Sequence, residues 1–156
     1  MAAMKATQNP PTIVISQETT PADLLRGAAQ YLTRYGWLQG DFFDLLAEAN
    51  FPPACSLGAI KFAAYGRPFL DSDNFLSDID PVDDQLADNA IRAMRVLASH
   101  LCPEYENIDS FAYQVSAIDV VAGWNDEDGR TLTEVIEALN DAANDWEATH
   151  PTGGAR

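Results

Sequence analysis

Residues 81 to 103, PVDDQLADNAIRAMRVLASHLCP, constrain the fold of this chain more than any other stretch. Val82, Leu86, Ala90, Met94, Leu97 and Leu101 recur at three- and four-residue steps, the spacing of one face of an α-helix. Asp80-Pro81 supplies a cap and a preorganised first position, and Pro103 ends the run. Arg92 and Arg95 fall where they face solvent or nearby acids.

The rest of the chain offers this helix partners of its own kind. In TPADLL, Thr20 caps, Pro21 takes the first helical position, and Asp23 reaches back to the cap. Leu24, Ala28, Tyr31, Leu32 and Tyr35 share one face up to Gly36. There a left-handed terminus turns Trp37 back against Leu32 as a packing lock. Asp41 starts a short second helix, FFDLLAEAN, which Pro52 and Pro53 end. In ACSLGAIKFAAYG, Cys55, Ala59 and Ala63 lie one turn apart beside Gly58 and Phe62, a small-residue stripe that admits a close helix neighbour. Gly66 and Pro68 close it. Residues 71 to 80 read as a loop. SFAYQVSAIDVVAG fits a helix through Phe111, Val115, Ile118 and Ala122, although Val120-Val121 tolerates a strand. Helix is preferred because a lone strand lacks a sheet partner. Gly123 ends that helix and Trp124 repeats the Gly36-Trp37 device. The last helix opens on a capping box, Thr131 with Glu134, and buries Leu132, Val135, Ile136, Leu139, Ala143 and Trp146.

The expected fold is therefore all-α: a single-domain bundle of five or six helices over residues 19 to 148. Residues 1 to 18 and 149 to 156 are expected to be loose, being polar, small and proline- or glycine-bearing. At 156 residues with 47% apolar side chains, the chain is large enough to bury a core without metal or disulfide. Cys55 and Cys102 are expected as free thiols. No signal segment and no run of about 18 apolar residues occurs, so a cytoplasmic location is expected.

The loop GWNDEDGRT, at 123 to 131, looks most like a functional motif. As a calcium loop it fails on register. With Gly129 at the sixth position, Asp126 and Asp128 fill the third and fifth, but Trp124 takes the first and Val135 the twelfth. It reads as a joint in which Asn125 or Asp126 ties loop backbone and Arg130 pairs with an acid.

Three motifs, GWLQGDF at 36 to 42, ACSLGAI at 54 to 60 and WNDEDGRTLTEVIEAL at 124 to 139, together resemble an uncharacterised family of small actinobacterial and actinobacteriophage proteins, a domain of unknown function. The residues that carry the pattern include Trp37, Gly40, Cys55, Gly58, Trp124, Asn125, Asp126, Arg130 and Thr131. The resemblance spans about residues 20 to 148. It implies a helical domain in a bacterial or phage cytoplasm, with no known activity and no known cofactor.

Charge is the property that bears on partners. The net charge is −15, from 24 acidic and 9 basic side chains. Residues 1 to 70 hold five of each and are neutral, so the whole excess lies in residues 71 to 156. Such a field repels phosphate backbones and anionic lipid, and attracts a basic protein surface. The plainer reading is solubility alone. Asp71, Asp73, Asp78, Asp80, Asp83 and Asp84 are the candidate partner-binding acids.

Chemistry has thinner support. Cys55 lies in a first helical turn, where the dipole and free N–H groups favour a thiolate. His100 is its one candidate base in the folded region, with His150 in the tail. A buried structural cysteine is the commoner case. Zinc through Cys55, His100 and Cys102 is weaker still, since HLC is not a usual chelating pair. No metal or cofactor site is expected, and no phosphate loop, nucleophile elbow or His-Glu-x-x-His helix occurs. The leading expectation is a non-enzymatic interaction module, in sharper form an inhibitor or DNA mimic. The alternative is a small thiol-dependent enzyme built on Cys55 and His100.

Overall fold

The computed structural model describes residues 19–66, 81–104 and 110–151, with the side chains of 81–84 and 110–116 outside that description. Five helices occupy the described residues: α1 (Pro21–Tyr35), α2 (Ser56–Tyr65), α3 (Pro81–Leu101), α4 (Ser110–Asn125) and α5 (Leu132–Thr149). The chain is all-α, a helical bundle. α1 packs on α5, α2 and α3, while α3 also packs on α2, α4 and α5. The core forms where those faces meet, from Leu25, Ala28 and Leu32 of α1, Ala59 and Ile60 of α2, Met94 and Leu97 of α3, Val121 of α4 and Leu139 of α5.

Both capping boxes close. Thr20 Oγ1 accepts from Asp23 N and Asp23 Oδ2 accepts from Thr20 N, each at 3.1 Å. Thr131 and Glu134 make the same exchange at 3.2 and 3.0 Å. Each box satisfies backbone donors that a helix start leaves without partners, which is why these starts are legible in the sequence. α1 is further clamped to α5 by a forked pair, in which Arg26 donates to both carboxylate oxygens of Glu147 at 2.8 and 2.9 Å.

The short helix expected from Asp41 does not form. Residues 37 to 55 are turns and bends that include two isolated bridges, Trp37 with Ala54 and Phe43 with Ala54. Asp41 and Asp44 bend their side chains onto local backbone, accepting from Phe42 N at 2.9 Å and Leu46 N at 3.0 Å. Aspartate offers the chain this alternative to the helical ladder. The backbone instead pairs with the proline segment, Leu38 N to Ala54 O and Asp44 N to Pro53 O. On this path Phe43 reaches the core while Leu45 and Leu46 stay exposed.

Two glycine stops also differ from expectation. Gly36 has φ 108° and ψ 161°, which is not the left-handed helical turn. The chain leaves α1 extended, and Trp37 is carried across to the second-half loop. Gly123 does not stop α4, which runs on to Asn125. The stop is made two residues later by the contacts of Asn125 itself. Phe111 and Val115, expected on the buried face of α4, lie outside the described side chains, whereas Ala117 and Val121 are buried.

Candidate functional site

The three quoted motifs are far apart in sequence and meet at one amide. Asn125, at the end of α4, has no exposed surface. Its Oδ1 accepts from Trp37 Nε1 at 2.8 Å, from Ser56 N at 3.0 Å and from Ser56 Oγ at 2.6 Å. Its Nδ2 donates to Leu38 O at 3.2 Å and to Asp126 Oδ1 at 2.9 Å. The partners fix the orientation of the amide, because Trp37 and the Ser56 N–H can only donate and the Leu38 carbonyl can only accept. Asp126 Oδ1 also accepts from Gly40 N at 2.9 Å. Gln39 Nε2 spans the same joint, donating to Asn125 O and Glu127 O, both at 3.0 Å.

Arg130 locks the far side. Its guanidinium lies 3.9 Å from the centroid of the Trp124 ring, and its Nε donates to Trp124 O at 2.8 Å. It also pairs with Glu127 and, at 3.6 Å, with Glu134. A planar cation stacked on indole and tied by hydrogen bonds in this way is a role that lysine would fill poorly. Thr131 follows directly and caps α5. Trp37, Gly40, Trp124, Asn125, Asp126, Arg130 and Thr131 thus belong to one junction.

Cys55 and Gly58 enter it from α2. Cys55 N donates to Phe42 O at 3.0 Å, and Cys55 Sγ accepts from Gly58 N at 3.4 Å as the cap of the helix. A Cβ on Gly58 would stand 2.2 Å from Phe42 O, a distance that no side chain tolerates. The small-residue stripe therefore admits two neighbours. At Gly58 it admits the 38–55 loop backbone, and at Ala63 it admits α1, where a Cβ on Gly27 would lie 3.2 Å from Ala63 Cβ.

The electrostatics of Cys55 run against activation. Burial pushes the thiol up to about 11, outweighing the Gly58 and Leu57 N–H groups that favour the thiolate, and Asp126 adds to the rise. Desolvation wins because the thiol is only 6% exposed. His100 does not share its surroundings. Its Nδ1 lies 3.1 Å from Asp145 Oδ2, in a cleft between α3 and α5, whereas Cys55 lines a cavity of about 210 Å³ with Gly40, Phe42, Ile118 and Asp126.

Lys61 is the buried charge that the sequence reading missed. No part of its side chain is exposed, and its Nζ lies 4.5 Å from the centroid of the Phe42 ring. Burial lowers its pKa to about 8, a fall opposed by Cys55. A lysine six residues beyond Cys55, inside an otherwise apolar helix, was the available signal.

Of the candidate partner-binding acids, Asp71, Asp73, Asp78 and Asp80 lie outside the described residues. Asp83 and Asp84 sit in the first turn of α3 with side chains outside the description. His150, placed by sequence in the tail, caps α5 and stacks on Trp146. Among the described residues no three His, Cys, Asp or Glu side chains are grouped to hold a metal ion, and no helix is long and apolar enough to cross a membrane.

Comparison with curated proteins and with solved structures finds no match. A family model does match, over residues 16–145, which takes in α1 to α4, most of α5 and every residue of the Asn125 junction. The chain belongs to DUF6197, a family of unknown function.

Proposed function

We propose that this protein is a non-enzymatic interaction module whose acidic second half docks on a basic surface of another protein. The observation that carries the proposal is the last helix with the loop before it. Asp126, Glu127, Asp128, Glu134, Glu137, Asp141, Asp145 and Glu147 are all exposed. The one base among them, Arg130, is turned inward onto Trp124. Glu134, Glu137, Asp141 and Asp145 follow the three- and four-residue steps of one helix face, so carboxylates rise along α5 every ~4.5–6 Å.

A ridge of that spacing supports the sharper form of the proposal, an inhibitor or DNA mimic that occupies a nucleic-acid-binding site. Part of the ridge has internal duties, since Glu134 caps α5 and Asp145 meets His100. Glu137 and Asp141 are its central members. An actinobacterial or phage setting and a cytoplasmic location, implied by the motifs, belong to the same proposal. The Asn125 junction supplies rigidity, fixing the acidic loop to the first half of the chain. Affinity capture from the native host followed by mass spectrometry tests the proposal. A basic, nucleic-acid-binding partner is expected, and recovery of only acidic partners would reject it.

A further inference from the structure

The cavity beside Cys55 passes from an apolar floor to a charged mouth. Cys55, Leu57 and Asn125 at its floor are buried, Phe42, Ile118 and Ala122 along its walls are half-buried, and Asp41 and Asp126 at its mouth are exposed. The floor asks for no polar partner. Both amide hydrogens of Asn125 and its carbonyl oxygen are engaged in the junction, and Cys55 Sγ already accepts from Gly58 N. A ligand that reaches the floor meets apolar surface, as in most small-molecule sites.

The mouth is built for the opposite kind of contact. Asp126 accepts from Gly40 N and Asn125 Nδ2 through Oδ1, and Asp41 accepts from Phe42 N through Oδ1. Each carboxylate keeps its second oxygen for an outside donor, and neither forms an ion pair among the described residues. Asp126 lies close enough to the floor for its charge to help raise the Cys55 thiol. None of the residues lining the cavity is basic. Lys61, beside Phe42, sets one buried ammonium against the two carboxylates, and Arg130 is held on Trp124. The net charge of −15 adds a field that draws cations and repels anions.

We propose that this cavity binds a small organic ammonium, apolar end first. An apolar cavity of ~150 Å³ takes one benzene ring, so about 210 Å³ takes a ring with a short chain. The body rests on the floor and walls, and the ammonium stays at the mouth, where Asp41 and Asp126 accept its charge-assisted hydrogen bonds. The reverse orientation is disfavoured, because the floor offers a buried cation no free acceptor. This assignment does not rest on the docking of the acidic half.

Titration calorimetry on the full chain at pH 7 tests the assignment with phenethylamine, its neutral analogue phenethyl alcohol, the anion phenylacetate, and methylammonium as the head group alone. Saturable one-site binding of phenethylamine near ~1 mM is expected from so few atoms. Phenethyl alcohol should bind about fivefold more weakly, the worth of ion pairs at an exposed mouth, and phenylacetate should not saturate. Asp41→Asn and Asp126→Asn keep the Oδ1 acceptor and remove the charge, so each should bring the amine closer to the alcohol. Ala122→Leu, which fills the cavity from its wall, should abolish saturation. The melting temperature checks folding, and if a variant fails to fold, the comparison of the amine with the alcohol and with methylammonium still decides. Absence of saturation by phenethylamine, equal affinity for phenethyl alcohol or for methylammonium, or undiminished binding by folded Ala122→Leu overturns the proposal.

Discussion

Replacing Asn125 by alanine should unfold this protein more readily than any surface change, and the geometry gives the size of the effect. The substitution strips partners from Trp37 Nε1, Ser56 N, Ser56 Oγ and Leu38 O. Trp37 is half-buried, so water can reach its indole N–H. Ser56 has no exposed surface, and its two donors stay without partners. At ~1–3 kcal/mol for each buried group left without a partner, the loss is about 4 kcal/mol. That is a large part of a total near 5–15 kcal/mol, and corresponds to a fall of ~8–16 °C in melting temperature. Urea unfolding followed by far-UV circular dichroism measures it. A double-mutant cycle with Trp37→Phe should return a coupling of at least ~0.5 kcal/mol. Asn125→Asp adds a test of sign. Its buried carboxyl, facing Leu38 O and the Asp126 carboxylate, takes a raised pKa, so the variant is least impaired at low pH and loses stability as pH rises. A loss under ~1 kcal/mol for Asn125→Ala, or strict additivity with Trp37→Phe, would refute the junction as an energetic centre.

Three further outcomes follow from the same geometry. Gly58→Ala places a Cβ 2.2 Å from Phe42 O, so the loop must move, and unfolding curves should show a loss of ~1–3 kcal/mol; an unchanged midpoint would contradict the close approach. Cys55, with its thiol pushed up to about 11, should label slowly at pH 7 in the native protein and fast in urea, as followed by thiol titration. Rapid native labelling that disappears with His100→Ala would restore the thiol-enzyme reading. Lys61 has a folded-state pKa lowered to about 8, against 10.5 when exposed. Between those values the unfolded chain binds more protons, so its contribution is present above 10.5 and lost as pH falls through 8. Lys61→Met should remove a rise in stability between about pH 8 and 10.5, measured by urea midpoints; parallel curves for the two proteins would count against the buried ammonium.

What the sequence revealed follows from the range of each interaction. Thr20, Asp23, Thr131 and Glu134 act within four residues, so both capping boxes are legible as local patterns. The apolar periods of α1, α3 and α5 are equally local. The 38–55 loop is not, because FFDLLAEAN has helical composition and its extended path is set by backbone pairing with residues 52 to 54 and by Asp41 and Asp44 turning onto the chain. Trp37 reads as a packing residue because its partner lies 88 positions away. The same distance hides the partners of Asn125, which in sequence is legible only as a tie within its own loop. Gly58 shows as part of a stripe, but nothing local says that its neighbour is a loop carbonyl rather than a helix. The joint at 123 to 131 is legible as a joint, with Asn125 or Asp126 as its tie; the reach of Asn125 to Trp37, Leu38 and Ser56 is not.

The most direct test of the proposed function is the association rate of a captured partner as a function of salt. Stopped-flow mixing should show the rate falling as ionic strength rises and the Debye length contracts to about 8 Å at physiological salt. Glu137→Gln with Asp141→Asn, at the centre of the α5 ridge, should slow association and flatten that dependence while leaving the melting temperature unchanged. An association rate indifferent to salt and to both substitutions would contradict the account, leaving the acidic surface as a means of solubility.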